Sequence, residues 1–172
     1  MEIAFISNIP NHYQACFADG MRKKGITYWF LATERVSEER MKLGFSNDFE
    51  QMGYVVSISD DPERTKEIID RCDLLLTAFY ANELAAERMK AGKLTFVVSE
   101  RICKSTGREL RSVVMNSGRI VKYRHILKKY GYCQSAYFLL IGQYAIDDYI
   151  RCGVLPDKIL KFAYFQEISR YP

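Results

Sequence analysis

Polar residues with chemistry to offer gather at three places in this chain. The first is Asn8, Asn11 and His12, within Ser7-Asn8-Ile9-Pro10-Asn11-His12-Tyr13-Gln14. They follow the apolar run Ile3 to Ile6 and precede a helical pattern, so a strand's C-terminal end meets a helix N-terminus there. Backbone N–H groups at such a junction can receive sugar or phosphate oxygens. His12 is of the residue type that serves as a general base or acceptor contact near neutral pH. Capping by Asn8 or Asn11, with His12 solvated in the first turn, would use the same residue types.

The second place is Ser99-Glu100-Arg101, directly after the apolar Phe96-Val97-Val98. A carboxylate there can orient a hydroxyl, and a guanidinium can meet a phosphate; an ion pair between loops is the competing role. The third is a basic run from Arg101 to Lys129. It holds Lys104, Arg108, Arg111, Arg119, Lys122, Arg124 and Lys128, opposed by Glu109 alone and interspersed with Tyr123. Lys122, Lys128 and Lys129 are the candidates for contact with an anionic membrane surface or a phosphate. A solvated helix face is the plain alternative. Nucleic acid is not expected, because no RNP-like or helix-turn-helix signature accompanies the charge.

Other chemistries are excluded by what the chain lacks. The first strand–helix turn contains no glycine, so the Gly-x-Gly-x-x-Gly cradle for NAD or FAD is absent. No P-loop and no Gly-x-Ser-x-Gly elbow occurs. His12 and His125 lie far apart, and Cys16, Cys72, Cys103, Cys133 and Cys152 show no Cys-x-x-Cys spacing, so neither a zinc site nor a disulfide framework is expected. Asp147 and Asp148 are adjacent helical residues that point in different directions, which argues for solvated carboxylates rather than a metal pair.

The elements that must position these residues alternate between strand and helix. Strands are expected at Ile3–Ile6, Ile26–Ala32, Tyr54–Ile58, Leu74–Thr77, Leu94–Val98, Ala136–Ile141 and Ile159–Phe162. Between them lie a helix after Pro10 closed by Lys23-Lys24-Gly25 and a short one from Ser37 to Leu43. Further helices open at Asp61-Pro62, cover 81–91 and run from Tyr144 to Cys152. A long polar loop is expected from Arg101 to Gly118, then a helix from Arg119 to Tyr130. This β-α repeat predicts one α/β, Rossmann-like domain over residues 1–172, a parallel sheet of about seven strands with helices on both faces.

Composition agrees. The chain has 172 residues, 48% hydrophobic and 27% charged, with a net charge of +4, a globular and mildly basic balance. The N-terminus lacks a signal-peptide pattern, and no apolar stretch spans a bilayer, so a soluble, cytoplasmic protein that can sit on a membrane surface is expected.

Three stretches carry a resemblance. Asn8-Ile9-Pro10-Asn11-His12-Tyr13 is similar to the opening Asn-x-Pro-x-x-Tyr of family-4-like GT-B glycosyltransferases. Phe96 to Arg101 and the tail from Ile141-Gly142-Gln143 through Asp157-Lys158-Ile159 to Phe165 resemble later parts of their N-terminal domain, in the same order. Ile9-Pro10 stands where many relatives have a glycine pair, and Ser99-Glu100 about where many have a histidine.

The resemblance implies one half of a GT-B fold. This acceptor-side half would bind a glycan, glycolipid or lipid-linked acceptor through Asn8, Asn11, Tyr13, Ser99 and Arg101, with His12 and Glu100 as the catalytic candidates. A nucleotide-diphosphate sugar would be the donor, held by a C-terminal domain beyond residue 172, and no cofactor or metal is called for. The fragment by itself would be inactive. The alternative is a stand-alone Rossmann-like binding module without chemistry of its own.

Overall fold

The computed structural model describes residues 1–42, 52–78, 83–103 and 110–164, leaving aside the side chains of His12, Arg40, Leu110 and Arg111. The chain divides into two compact units, Met1–Ala78 with the segment from Tyr164, and Phe79–Ala163.

The first unit contains β1 (Glu2–Ser7), α1 (His12–Lys23), β2 (Thr27–Ala32), α2 (Glu38–Lys42), β3 (Val55–Ser57), α3 (Pro62–Arg71) and β4 (Leu74–Ala78). Its strands run in the order β3-β2-β1-β4. Their pairing is parallel, with Ile3 opposite both Tyr28 and Leu74, and Phe30 opposite Val55. Inner parallel strands are covered on both faces, which explains why β1 is buried from Ile3 through Ser7 without polar alternation. Asp61 caps α3 by accepting the Arg64 N–H at 3.0 Å, and Pro62 takes the first helical position, where a missing N–H costs nothing. Pro10 does not play that part in α1. The helix begins at His12 and its cap is Asn11, so the proline stands outside, before a cap that needs a side-chain acceptor.

The second unit contains α4 (Glu83–Lys90), β5 (Thr95–Ser99), α5 (Leu110–Lys129), α6 (Tyr132–Ser135), β6 (Tyr137–Ile141), α7 (Gln143–Arg151) and β7 (Ile159–Phe162). Strands β5, β6 and β7 are parallel neighbours in that order. Leu127 of α5, Tyr132, Phe138, Leu140 and Tyr149 are fully buried together and form the centre of the core.

Parallel strands alternating with helices make this an α/β, Rossmann-like fold, as the sequence predicts. Two elements differ from expectation. Helix α5 starts at Leu110, well before Arg119, so much of the expected loop is helical; residues 104–109 of it lie outside the described residues. The one-turn α6 was not expected. It follows Gly131, whose φ of 71° lets the chain turn sharply out of α5.

Candidate functional site

In the first unit, β1 hands the chain to α1 through residues 8–11. Ile9 and Pro10 are buried, so the middle of the turn packs inward and the polar Asn8 and Asn11 stand on either side of it. The Asn8 carbonyl accepts the Glu34 N–H at 3.0 Å, and its Oδ1 accepts the Ser7 hydroxyl at 3.4 Å. Asn11 is extended, and its Oδ1 accepts the N–H groups of Tyr13 and Gln14 at 3.1 and 3.2 Å. The Gln14 side chain returns the bond, its Oε1 accepting the Asn11 N–H at 3.0 Å. This is a capping box, and it engages the Tyr13 and Gln14 N–H groups that an anion at the helix end would draw on. The Tyr13 ring lies 4.9 Å from that of Tyr164. His12 opens α1, and its side chain lies outside the described residues.

In the second unit, the residues after β5 are fastened to α7. Asp148 is 4% exposed, and its Oδ2 accepts the N–H groups of Ile102 and Cys103 at 3.0 and 2.8 Å. That clamp fixes the chain just beyond Arg101. The Arg101 guanidinium lies 5.1 Å over the ring of Tyr144, in the first turn of α7. Its Nε is buried without a hydrogen-bond partner among the described residues. Glu100 is exposed, and its carbonyl accepts the Ser99 hydroxyl at 3.1 Å. No ion pair joins Glu100 to Arg101 among the described residues, so the guanidinium stacks rather than pairs. The arrangement offers an aromatic face, a cation and a free carboxylate within one loop and helix end. Burial, with Asp148 adding to it, raises the Cys103 thiol above its ordinary range, so this thiol is a poor nucleophile.

Ser99, Glu100 and Arg101 are therefore brought together, while Asn8, Asn11 and Tyr13 form a separate set in the other unit. Lys122, Lys128 and Lys129 are exposed on α5, and the Lys129 ammonium sits 5.0 Å over the Tyr130 ring. Lys104 and Arg108 lie outside the described residues, as does the side chain of Arg111.

Sequence reasoning missed Asp148 and Tyr144. Asp147 is exposed as expected, but Asp148 is not solvated; one of two adjacent helical carboxylates turned inward. The signal was present in the spacing, because Asp148 falls on the stripe Ala145, Tyr149 and Cys152 that faces the core.

A cavity of about 390 Å³ opens at the other end of the first unit's strands, lined by Arg22, Thr27, Tyr28, Trp29, Gly53 and Tyr54 among others. It contains none of the expected site residues. No group of His, Cys, Asp or Glu among the described residues can hold a metal ion.

The fold and these two clusters define the class: an α/β, Rossmann-like protein whose first strand–helix turn is closed by its own cap. No family model matches the chain, and no curated protein matches it. Among solved structures it is similar to a short-chain dehydrogenase/reductase from Serratia marcescens BCRC 10948. The identity is 12%, with 81% of this chain and 72% of that one covered, at a TM-score of 0.37. A doubly substituted variant of a Serratia marcescens short-chain dehydrogenase/reductase is similar at 13% identity, 95% and 96% coverage and a TM-score of 0.35.

Proposed function

We propose that this chain is the acceptor-side half of a GT-B-type glycosyltransferase, which transfers a sugar from a nucleotide-diphosphate donor to a glycan, glycolipid or lipid-linked acceptor. The observation that carries this reading, beside the sequence resemblance, is the closed turn after β1. A dinucleotide pyrophosphate needs free N–H groups at the helix end and glycine in the turn. Here Asn11 holds the N–H groups of Tyr13 and Gln14, and the buried Ile9-Pro10 fills the turn. What remains is neutral and amide-rich, a surface suited to hydroxyl groups rather than to a diphosphate.

On this reading Asn8, Asn11 and Tyr13 contact the acceptor, and His12 removes its proton or positions it. Ser99, Glu100 and Arg101 supply a second set of polar contacts, with Tyr144 as a face on which a sugar ring can stack. The donor is held by a second half of the enzyme, and neither metal nor cofactor takes part. The protein works in the cytoplasm, at the inner face of the membrane when the acceptor is lipid-linked.

Amide chemical shifts of the chain, recorded with soluble oligosaccharides, with a nucleotide-sugar panel and with NADH, test the reading. Oligosaccharides should move the amides around Asn8 to Tyr13 or Ser99 to Arg101. NADH should leave those of Tyr13 and Gln14 in place. NADH shifts centred on that turn, or no response to any saccharide, would overturn it.

A further inference from the structure

The cavity where the first unit's strands begin is a gap in the edge of the sheet. Strand β3 joins β2 only from Phe30, opposite Val55, so the edge of β2 at residues 27–29 has no neighbouring strand on that side among the described residues. The end of α1 and the approach to β3 close round that edge and leave about 390 Å³ between them. Small-molecule sites commonly hold roughly 300–1,000 Å³. A Cβ built on Gly25 or Gly53, which line the gap, would meet nothing within 4 Å, as expected of residues that border open space.

The lining is aromatic, with one cation. Tyr28 is 2% exposed and meets Phe17 and Tyr54 edge-on, with ring centroids 5.7 and 5.8 Å away. Its hydroxyl is buried with no hydrogen-bond partner among the described residues, a costly state for a donor. Burial, with Tyr54 adding to it, holds that proton well above the ordinary tyrosine range, so the group stays a donor. The Arg22 guanidinium lies 5.3 Å over the Tyr54 ring, and no ion pair or hydrogen bond takes up its N–H groups among the described residues. Asp19, whose charge joins burial in raising the Tyr54 hydroxyl, does not pair with it. Trp29 completes the lining.

An uncommitted guanidinium suits a carboxylate, which it can bind through two parallel N–H groups. Aromatic walls suit a flat ring, and a buried donor suits an acceptor atom. A free phosphate would use the cation and leave the rings and the Tyr28 hydroxyl unused. We propose that this gap binds small aromatic carboxylates, with the acid on Arg22, the ring against Tyr54 and Trp29, and an acceptor atom on the Tyr28 hydroxyl. The site lies at the opposite end of the strands from Asn8 and Asn11 and does not rest on the transferase reading.

Trp29 is the chain's one tryptophan, so its emission reports on the gap directly. Benzoate, 4-hydroxybenzoate and nicotinate serve as probes, and at least one should change that emission saturably. The corresponding amides, the same rings without the charge, should bind at least about tenfold more weakly, as loss of a charge-assisted pair implies. Inorganic phosphate at the same concentration should not compete. Arg22→Gln should also weaken binding about tenfold. Tyr28→Phe should weaken it severalfold without lowering the melting temperature of the free protein, because the hydroxyl has no internal partner to lose. Gly53→Leu fills the gap at a residue without positive φ, and should block binding in a protein that still folds. No response to any of the acids, equal binding of the amides, or competition by phosphate would overturn the proposal. So would binding indifferent to Arg22→Gln, Tyr28→Phe or Gly53→Leu.

Discussion

Two side chains, Asn11 and Asp148, decide the local geometry of both candidate clusters, and each does so by accepting a pair of backbone N–H groups. Asn11→Ala removes the cap of α1 and should cost about 1 kcal/mol, which for a chain of this length lowers the melting temperature by roughly 2–4 °C. On the proposed transferase reading His12→Ala behaves in the opposite way: turnover in the presence of the donor-holding half falls at least about tenfold, as expected for loss of a general base, while the melting temperature barely moves. Thermal melts run beside activity assays separate the two, and lost stability with unaltered activity per folded molecule would assign His12 to the helix alone. Asp148→Ala strands the buried N–H groups of Ile102 and Cys103 and should cost about 3 kcal/mol. Asp148→Asn, which keeps one acceptor oxygen, should recover part of that loss. Equal melting temperatures for the wild type and the Ala variant would mean the clamp contributes nothing.

Among the elements, the strands were legible because apolar runs such as Ile3–Ile6 and Leu74–Thr77 admit little else when bounded by caps and glycines. Helices α1, α3 and α7 declared themselves through Lys23-Lys24-Gly25, Asp61-Pro62 and Gly153. The start of α5 was hidden because Ser112, Asn116, Ser117 and Gly118 are poor helix formers on their own. None of residues 112–119 is buried, so no core-facing apolar stripe announced that segment either. Asp148 was hidden for a different reason. Its neighbour Asp147 made the pair look solvated, although a residue 100° further round the helix faces the core.

The end of α7 also carries a pH signature. Burial pushes the Cys152 thiol up to about 12, with the nearby Asp148 carboxylate adding to the effect. The folded protein therefore holds this proton more tightly than the unfolded chain does. The resulting stabilisation is complete below about 9, the ordinary thiol value, and is lost as the pH rises toward about 12. Between pH 8 and pH 11 the wild type should lose more melting temperature than Cys152→Ala. Parallel losses in the two proteins would contradict the assignment.

For the whole molecule, the fold alone does not choose a chemistry, since Rossmann-like sheets serve many. The proposed transferase role rests on one turn and on a resemblance in three ordered stretches. Its central claim is that the β1–α1 junction faces an acceptor and not a dinucleotide, and that catalysis needs a donor-holding partner half. The most direct measurement is acceptor-dependent release of nucleoside diphosphate from a nucleotide-sugar panel. It is made on residues 1–172 alone and on residues 1–172 together with the proposed donor-holding half, with NADH consumption followed in parallel. The account predicts release when the donor-holding half is present, strongly reduced by His12→Ala, with none from residues 1–172 alone and no NADH consumed in either case. Sugar-nucleotide turnover by residues 1–172 alone, or NADH-dependent reduction of any substrate, would contradict it.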